Sequence, residues 1–80
     1  MCKYELYYFP TCPYCRKVMK YMQQADITVT MKNTWDPGVE EELVRIGGKA
    51  QVPCLVIDGK AMYESDDIIA YMKANDALFR

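Results

Sequence analysis

Cys12-Pro13-Tyr14-Cys15 sits between an apolar run, Tyr4 to Phe9, and a helical pattern that extends to Ala25. Two cysteines three apart at a strand-to-helix junction fall on one face of the first helical turn. They can close a small disulfide ring there, and a C-x-x-C near a strand–helix pattern reads as a redox motif. Cys12 stands just outside the helix, where unpaired N–H groups and the positive end of the macrodipole favour a thiolate. Cys15 lies one turn further in, on the buried face, where a thiolate is disfavoured. The expectation is that Cys12 attacks and Cys15 resolves. Pro13 suits the first helical position, where its missing donor would have had no partner. Arg16 and Lys17 add positive charge within a turn of the thiolate, against the helix dipole. A zinc half-site would need two further ligands, and the chain has no histidine and only Cys2 and Cys54 besides. A purely structural disulfide would close too small a loop to restrict the unfolded chain much.

Outward from this motif, Tyr4, Leu6 and Tyr8 alternate with Glu5, Tyr7 and Phe9 and read as a central strand buried on both faces. Cys15, Val18, Met19, Met22 and Ala25 form a 3.6-period stripe, with Arg16, Lys17, Lys20, Gln23 and Gln24 on the wet face. Asp26 ends the helix, and Ile27 to Met31 is expected as a second strand, parallel to the first by a right-handed crossover. Trp35 is read as a lid over the core, with partner docking as the alternative. Asp36 is expected to cap a helix with Pro37 at its first position, and Glu40, Glu41 and Glu42 suit its positive end. Val39, Leu43 and Ile46 would face the core, and Gly47-Gly48 would stop the helix. Cys54 to Ile57 is a short strand, Asp58-Gly59 a hairpin turn, and Lys60 to Tyr63 the returning strand. Ser65 is expected to cap a last helix whose Ile68, Ile69 and Met72 point inward. The order βαβαββα gives an α/β fold, a four-stranded mixed sheet flanked by three helices.

Eighty residues, 51% of them hydrophobic, make one domain, residues 1–80. A net charge of −1 gives no indication of nucleic acid or an anionic membrane as partner. With no long apolar stretch and no leader pattern, the expected location is the cytoplasm, and two motif-spaced cysteines among regular elements fit an intracellular redox protein.

Val52-Pro53 precedes the third strand. A proline cannot lie inside a central strand, so it is either a plain strand start or a cis-proline turn. Together, Cys-Pro-Tyr-Cys at the first helix, Val52-Pro53 before the hairpin and Ser65-Asp66-Asp67 at the last helix resemble the dithiol glutaredoxins of the thioredoxin fold over nearly the whole chain. The resemblance implies glutathione-dependent reduction of protein disulfides and glutathione mixed disulfides. It implies that Val52 and a cis Pro53 form one wall of a glutathione groove and Tyr14 the other, with Ser65 and Asp66 holding the γ-glutamyl end. Free N–H groups at a helix start suit a carboxylate, and Asp66 suits the α-ammonium. Arg45 and Lys49 are candidate partners for the glycine carboxylate. No metal is expected, and the expected form is a monomer acting on glutathione and on disulfide-containing or glutathionylated proteins.

Three positions depart from the pattern. Phe9 stands where many relatives carry lysine. Tyr63-Glu64 replaces Gly-Gly, and Glu64-Ser65 with the following Asp-Asp-Ile-Ile-Ala-Tyr is similar instead to the glutathione transferase N-terminal domain. Cys54 directly after Pro53 adds a third sulfur, whose side chain alternation alone sends neither to core nor to groove. Two other functions compete: a glutaredoxin-like electron donor to ribonucleotide reductase, fed by thioredoxin reductase, and an iron–sulfur carrier. The first usually lacks a γ-glutamyl site; the second usually has Gly-Phe-Ser after the cysteine.

Overall fold

The computed structural model describes residues 4–75, so Cys2 lies outside the described residues. The elements are β1 (Tyr4–Tyr8), α1 (Pro13–Ala25), β2 (Thr30–Asn33), α2 (Val39–Gly47), β3 (Cys54–Ile57), β4 (Lys60–Met62) and α3 (Ser65–Ala74). The sheet order is β2-β1-β3-β4, with β1 parallel to β2 and antiparallel to β3, and β3 antiparallel to β4. This is the expected mixed sheet. Asp58 at φ 50° and Gly59 at φ 85° give the hairpin two consecutive left-handed residues, the geometry that matches strand twist.

The sheet has a layer on each face. Leu6 and Leu55 are partners in register and pack with Val18, Met22, Ile27, Ile68 and Met72 beneath α1 and α3. Tyr7 and Cys54, also partners, pack with Leu43 and Val56 on the α2 face. Two-sided burial of β1 at Glu5, Leu6 and Tyr7 follows from this arrangement. The Tyr7 hydroxyl donates to Glu42 Oε1 at 2.6 Å. Lys32 lies 3.6 Å from Glu5 and 3.7 Å from Glu42, bringing a cation to two carboxylates. The Tyr7 bond, then Lys32 and Arg45, hold the Glu42 carboxyl below its usual range.

Four sequence expectations require correction. The second strand starts at Thr30 rather than Ile27. Asp26 takes a left-handed cap, the Ile27 N–H donates to Met22 O at 2.8 Å, and the Ile27 side chain drops into the core instead of pairing. Asp36 and Pro37 precede the second helix, whose cap is Gly38 at φ 81°, outside helical geometry. Asp36 contributes its carbonyl, not its carboxylate, to the Val39 N–H. The third helix is capped by Glu64, and Ser65 is its first residue, because Glu64 O already accepts the Ile68 N–H at 3.0 Å. Finally, Trp35 is no core lid. The residue is 61% exposed and its ring stacks on Phe9 at 6.0 Å, in a turn closed by the Asn33 side chain accepting the Trp35 backbone N–H.

Candidate active site

Strand β1 delivers the chain through Pro10 and Thr11 to Cys12, the N-cap of α1, whose Sγ accepts the Cys15 N–H at 3.4 Å. No acidic residue occupies the first turn of α1, so nothing there competes for the positive end of the dipole. Both sulfurs are shielded, with Cys12 5% exposed and Cys15 fully buried. Burial, followed by the hydrogen bond to Cys12, pushes the Cys15 thiol up to about 12, while the Phe9 backbone pulls it partly back. At neutral pH Cys15 is therefore a protonated thiol beside a sulfur that receives an N–H bond.

The Val52–Pro53 peptide is cis, and Pro53 is buried. A pocket of about 290 Å³ beside it gathers Tyr14 from α1, Val52 and Pro53 from the β3 approach, and Ser65 and Asp66 from α3. All five residues named from the sequence for glutathione thus border one cavity. Three more border it: Lys17, Gln51 and Glu64. Lys17 was legible from helical spacing, since it lies three residues after Tyr14 on the same face. Its Nζ binds the Asp66 carboxylate, joining the starts of α1 and α3 across the pocket mouth. Both side chains are exposed, so the pair contributes ~0–1 kcal/mol. Gln51 Nε2 donates to Glu64 Oε1 at 3.4 Å on the opposite rim.

Glu64 itself has φ 63° and ψ 113°, a backbone region that costs a non-glycine residue about 1–3 kcal/mol. The helix after it has no side-chain cap bond, so its first N–H groups keep their donor capacity at the pocket wall. Arg45 and Lys49 are not among the residues lining this cavity. Lys49 instead places its Nζ 4.6 Å from the Tyr63 ring centroid. Tyr63, one half of the Tyr-Glu replacement, packs so tightly on α2 that a Cβ at Gly47 would lie 1.9 Å from its hydroxyl. That hydroxyl donates to Lys49 O at 3.0 Å.

Cys54 follows Pro53 in sequence but turns away from the dithiol. It is fully buried with Tyr7, Leu43 and Val56 on the α2 face, whereas α1 packs on the opposite one. Burial pushes its thiol up to about 11, against smaller lowering contributions from the Met62 backbone, Tyr63 and Lys49. Among the described residues, no three histidine, cysteine or acidic side chains converge as a metal site, and no helix is long and apolar enough to cross a membrane.

Comparison with known proteins places this architecture. Residues 6–78 match the family model described as glutathione S-transferase, N-terminal domain. An uncharacterized glutaredoxin-like 8.6 kDa protein in the rubredoxin operon of Clostridium pasteurianum is 34% identical over 56 residues, covering 69% of this chain and 75% of that one. Among solved structures, glutathione transferase Omega 3C from Trametes versicolor superposes with a TM-score of 0.81 at 24% identity, over 98% of this chain and 35% of that one. A delta-class glutathione transferase from Nilaparvata lugens gives 0.75 at 26% identity, over 90% and 35%. The chain therefore spans about a third of the transferases it matches. Their likeness carries the fold, and the glutaredoxin-like relative carries the redox character. The chain belongs to the glutathione S-transferase N-terminal domain family, as a glutaredoxin-like, redox-type protein of thioredoxin fold.

Proposed function

We propose that residues 1–80 act as one domain and catalyse glutathione-dependent thiol–disulfide exchange, reducing protein disulfides and glutathione mixed disulfides. The observation that carries this reading is the junction at the start of α1. Cys12 Sγ receives the Cys15 N–H there, and Tyr14 between the two cysteines borders a pocket together with Val52, cis Pro53, Ser65 and Asp66.

The Cys12 thiolate attacks one sulfur of a substrate disulfide. The substrate S–S bond breaks, a Cys12 mixed disulfide forms, and the second substrate sulfur leaves as a thiolate that takes a proton from water. Cys15 then gives up its proton and attacks Cys12 Sγ, releasing the remaining substrate thiol and closing Cys12–Cys15. Two glutathione thiols reduce that disulfide in turn and leave as glutathione disulfide. When the substrate is a glutathione mixed disulfide, Cys12 takes the glutathionyl group and a second glutathione removes it, so Cys15 is not needed.

Pocket chemistry supports glutathione as the reductant. The start of α3, which has no side-chain cap bond, offers N–H donors for the γ-glutamyl carboxylate. Asp66 offers a carboxylate to the α-ammonium, exchanging its exposed pair with Lys17 for the ligand at little cost. In this reading the Val52 backbone pairs with the peptide portion. Coupled oxidation of NADPH tests the reading. Turnover of a glutathionylated peptide with glutathione and glutathione reductase is expected, at least tenfold above that with thioredoxin reductase alone. The reverse order would assign the chain to a thioredoxin reductase-dependent pathway.

A further inference from the structure

A second groove, of about 430 Å³, runs between α1 and α3 on the face of the sheet that those helices cover. Lys17, Lys20 and Tyr21 line it from α1, and Asp66, Ile69 and Lys73 from α3. Lys17 and Asp66 border both this groove and the smaller pocket beside Pro53, and they pair with each other. The floor includes the half-buried Tyr21 and Ile69, and Lys73 Nζ stands 5.6 Å from the Tyr21 ring centroid. Three ammonium groups face one carboxylate, and that carboxylate is already paired with Lys17.

This charge is not the ordinary mixture of a solvated helix. From Pro13 to Ala25, α1 carries Arg16, Lys17 and Lys20 and no acidic residue, in a chain whose net charge is −1. Glu40, Glu41 and Glu42 stand together at the start of α2 across the sheet, while Asp66 and Asp67 open α3. Arg16 closes the first turn of α1 and Lys17 follows it directly, near the end where cations oppose the macrodipole. Lys17, Lys20 and Lys73 thus line one groove with Asp66 as the carboxylate among them, a local excess of positive charge that suits an electronegative partner.

We propose that the α1–α3 groove docks an acidic segment of the protein whose disulfide Cys12 attacks, making the chain selective for electronegative partners. The inference rests on the thiol–disulfide exchange reading and adds the partner class. Carboxylates of the segment pair with Lys20 and Lys73, and apolar side chains between them cover Tyr21 and Ile69. The segment then runs along α1 toward its N-terminus, where Cys12 is the N-cap. Contributions of this kind act chiefly on encounter and orientation and fade with ionic strength.

The test uses the full chain and two glutathionylated peptides, identical except for four glutamates or four glutamines beside the cysteine. Bis(2-hydroxyethyl) disulfide serves as the small substrate. The acidic peptide is expected to show a kcat/KM about tenfold higher at ~20 mM salt, converging to within about twofold at ~0.5 M. Lys20→Glu with Lys73→Glu, both at exposed positions, should abolish the preference and leave turnover of the small disulfide intact. Lys20→Arg with Lys73→Arg should retain the preference. Equal turnover of both peptides by the unmodified chain, or a preference that survives charge reversal, overturns the docking proposal alone. Charge-reversal-sensitive binding to phosphatidylserine vesicles, without peptide preference, would assign the groove to a membrane and overturn it too. Self-association lost in the same variant, again without peptide preference, would assign it to a second copy. Failure to turn over any of the three disulfides removes the exchange reading and this inference with it.

Discussion

Replacing Cys54 by alanine separates a structural sulfur from the catalytic ones. The residue is fully buried among Tyr7, Leu43 and Val56 and faces α2. Removing one sulfur from such a site loses its transfer free energy and leaves a small cavity, together about 1–2 kcal/mol. In a domain of this size that lowers Tm by roughly 5–10 °C. The loss should also depend on pH. The folded thiol titrates at about 11, above its unfolded value, so its contribution is complete below the unfolded pKa and is lost as pH rises through 11. Thermal or urea unfolding from pH 7 to 11 should therefore show the advantage of wild type over Cys54→Ala shrinking once pH passes the unfolded thiol value, by up to about 1.4 kcal/mol per pH unit, and vanishing before pH 11. Turnover at pH 7 should stay within twofold, because the side chain lies across the sheet from α1. A loss of turnover larger than tenfold with unchanged Tm would refute this placement, as would a Cys12–Cys54 disulfide after mild oxidation.

Further outcomes follow from the same geometry. Cys12→Ser should abolish all exchange activity, while Cys15→Ser should keep deglutathionylation and lose reduction of protein disulfides that need an internal resolver; equal inactivity of the two would contradict the assigned roles. Ser65→Ala with Asp66→Ala should raise the KM for glutathione by about tenfold, the low end for charge-assisted hydrogen bonds, and an unchanged KM in steady-state kinetics would move the glutathione site elsewhere. Glu64→Gly should hold or raise Tm, because φ 63° strains a side-chain-bearing residue by about 1–3 kcal/mol while glycine adds ~0.4–1 kcal/mol of unfolded-state entropy. A calorimetric Tm several degrees lower would show that the Glu64 side chain contributes more than its backbone costs.

Long-period patterns in the sequence carried the fold, and local competition at element ends limited the detail. The α1 stripe of Cys15, Val18 and Met22 and the two-sided burial of β1 follow directly from the placement of apolar residues. The hairpin follows from Asp58-Gly59, a pair suited to two consecutive left-handed residues. The starts of β2, α2 and α3 were less accessible because each depends on a neighbour in space. β2 begins where β1 offers a partner, opposite Glu5, not where β-favouring residues begin. Gly38 displaced Asp36 as a cap by adopting a conformation that Asp36-Pro37 could not continue as helix. At the site, Tyr14, Val52, Pro53, Ser65 and Asp66 were named through the family pattern and border one cavity. The Lys17–Asp66 pair joins residues 49 apart, and no local signal encodes that contact.

Mapping the glutathione adduct on Cys15→Ser tests the central claim most directly. The variant is incubated with glutathione disulfide, digested, and each cysteine peptide is assigned by mass spectrometry. With no resolving thiol at position 15, the account predicts a stable adduct on Cys12 alone among Cys12 and Cys54, removed by added glutathione. An adduct on Cys54, or none on Cys12, would contradict it.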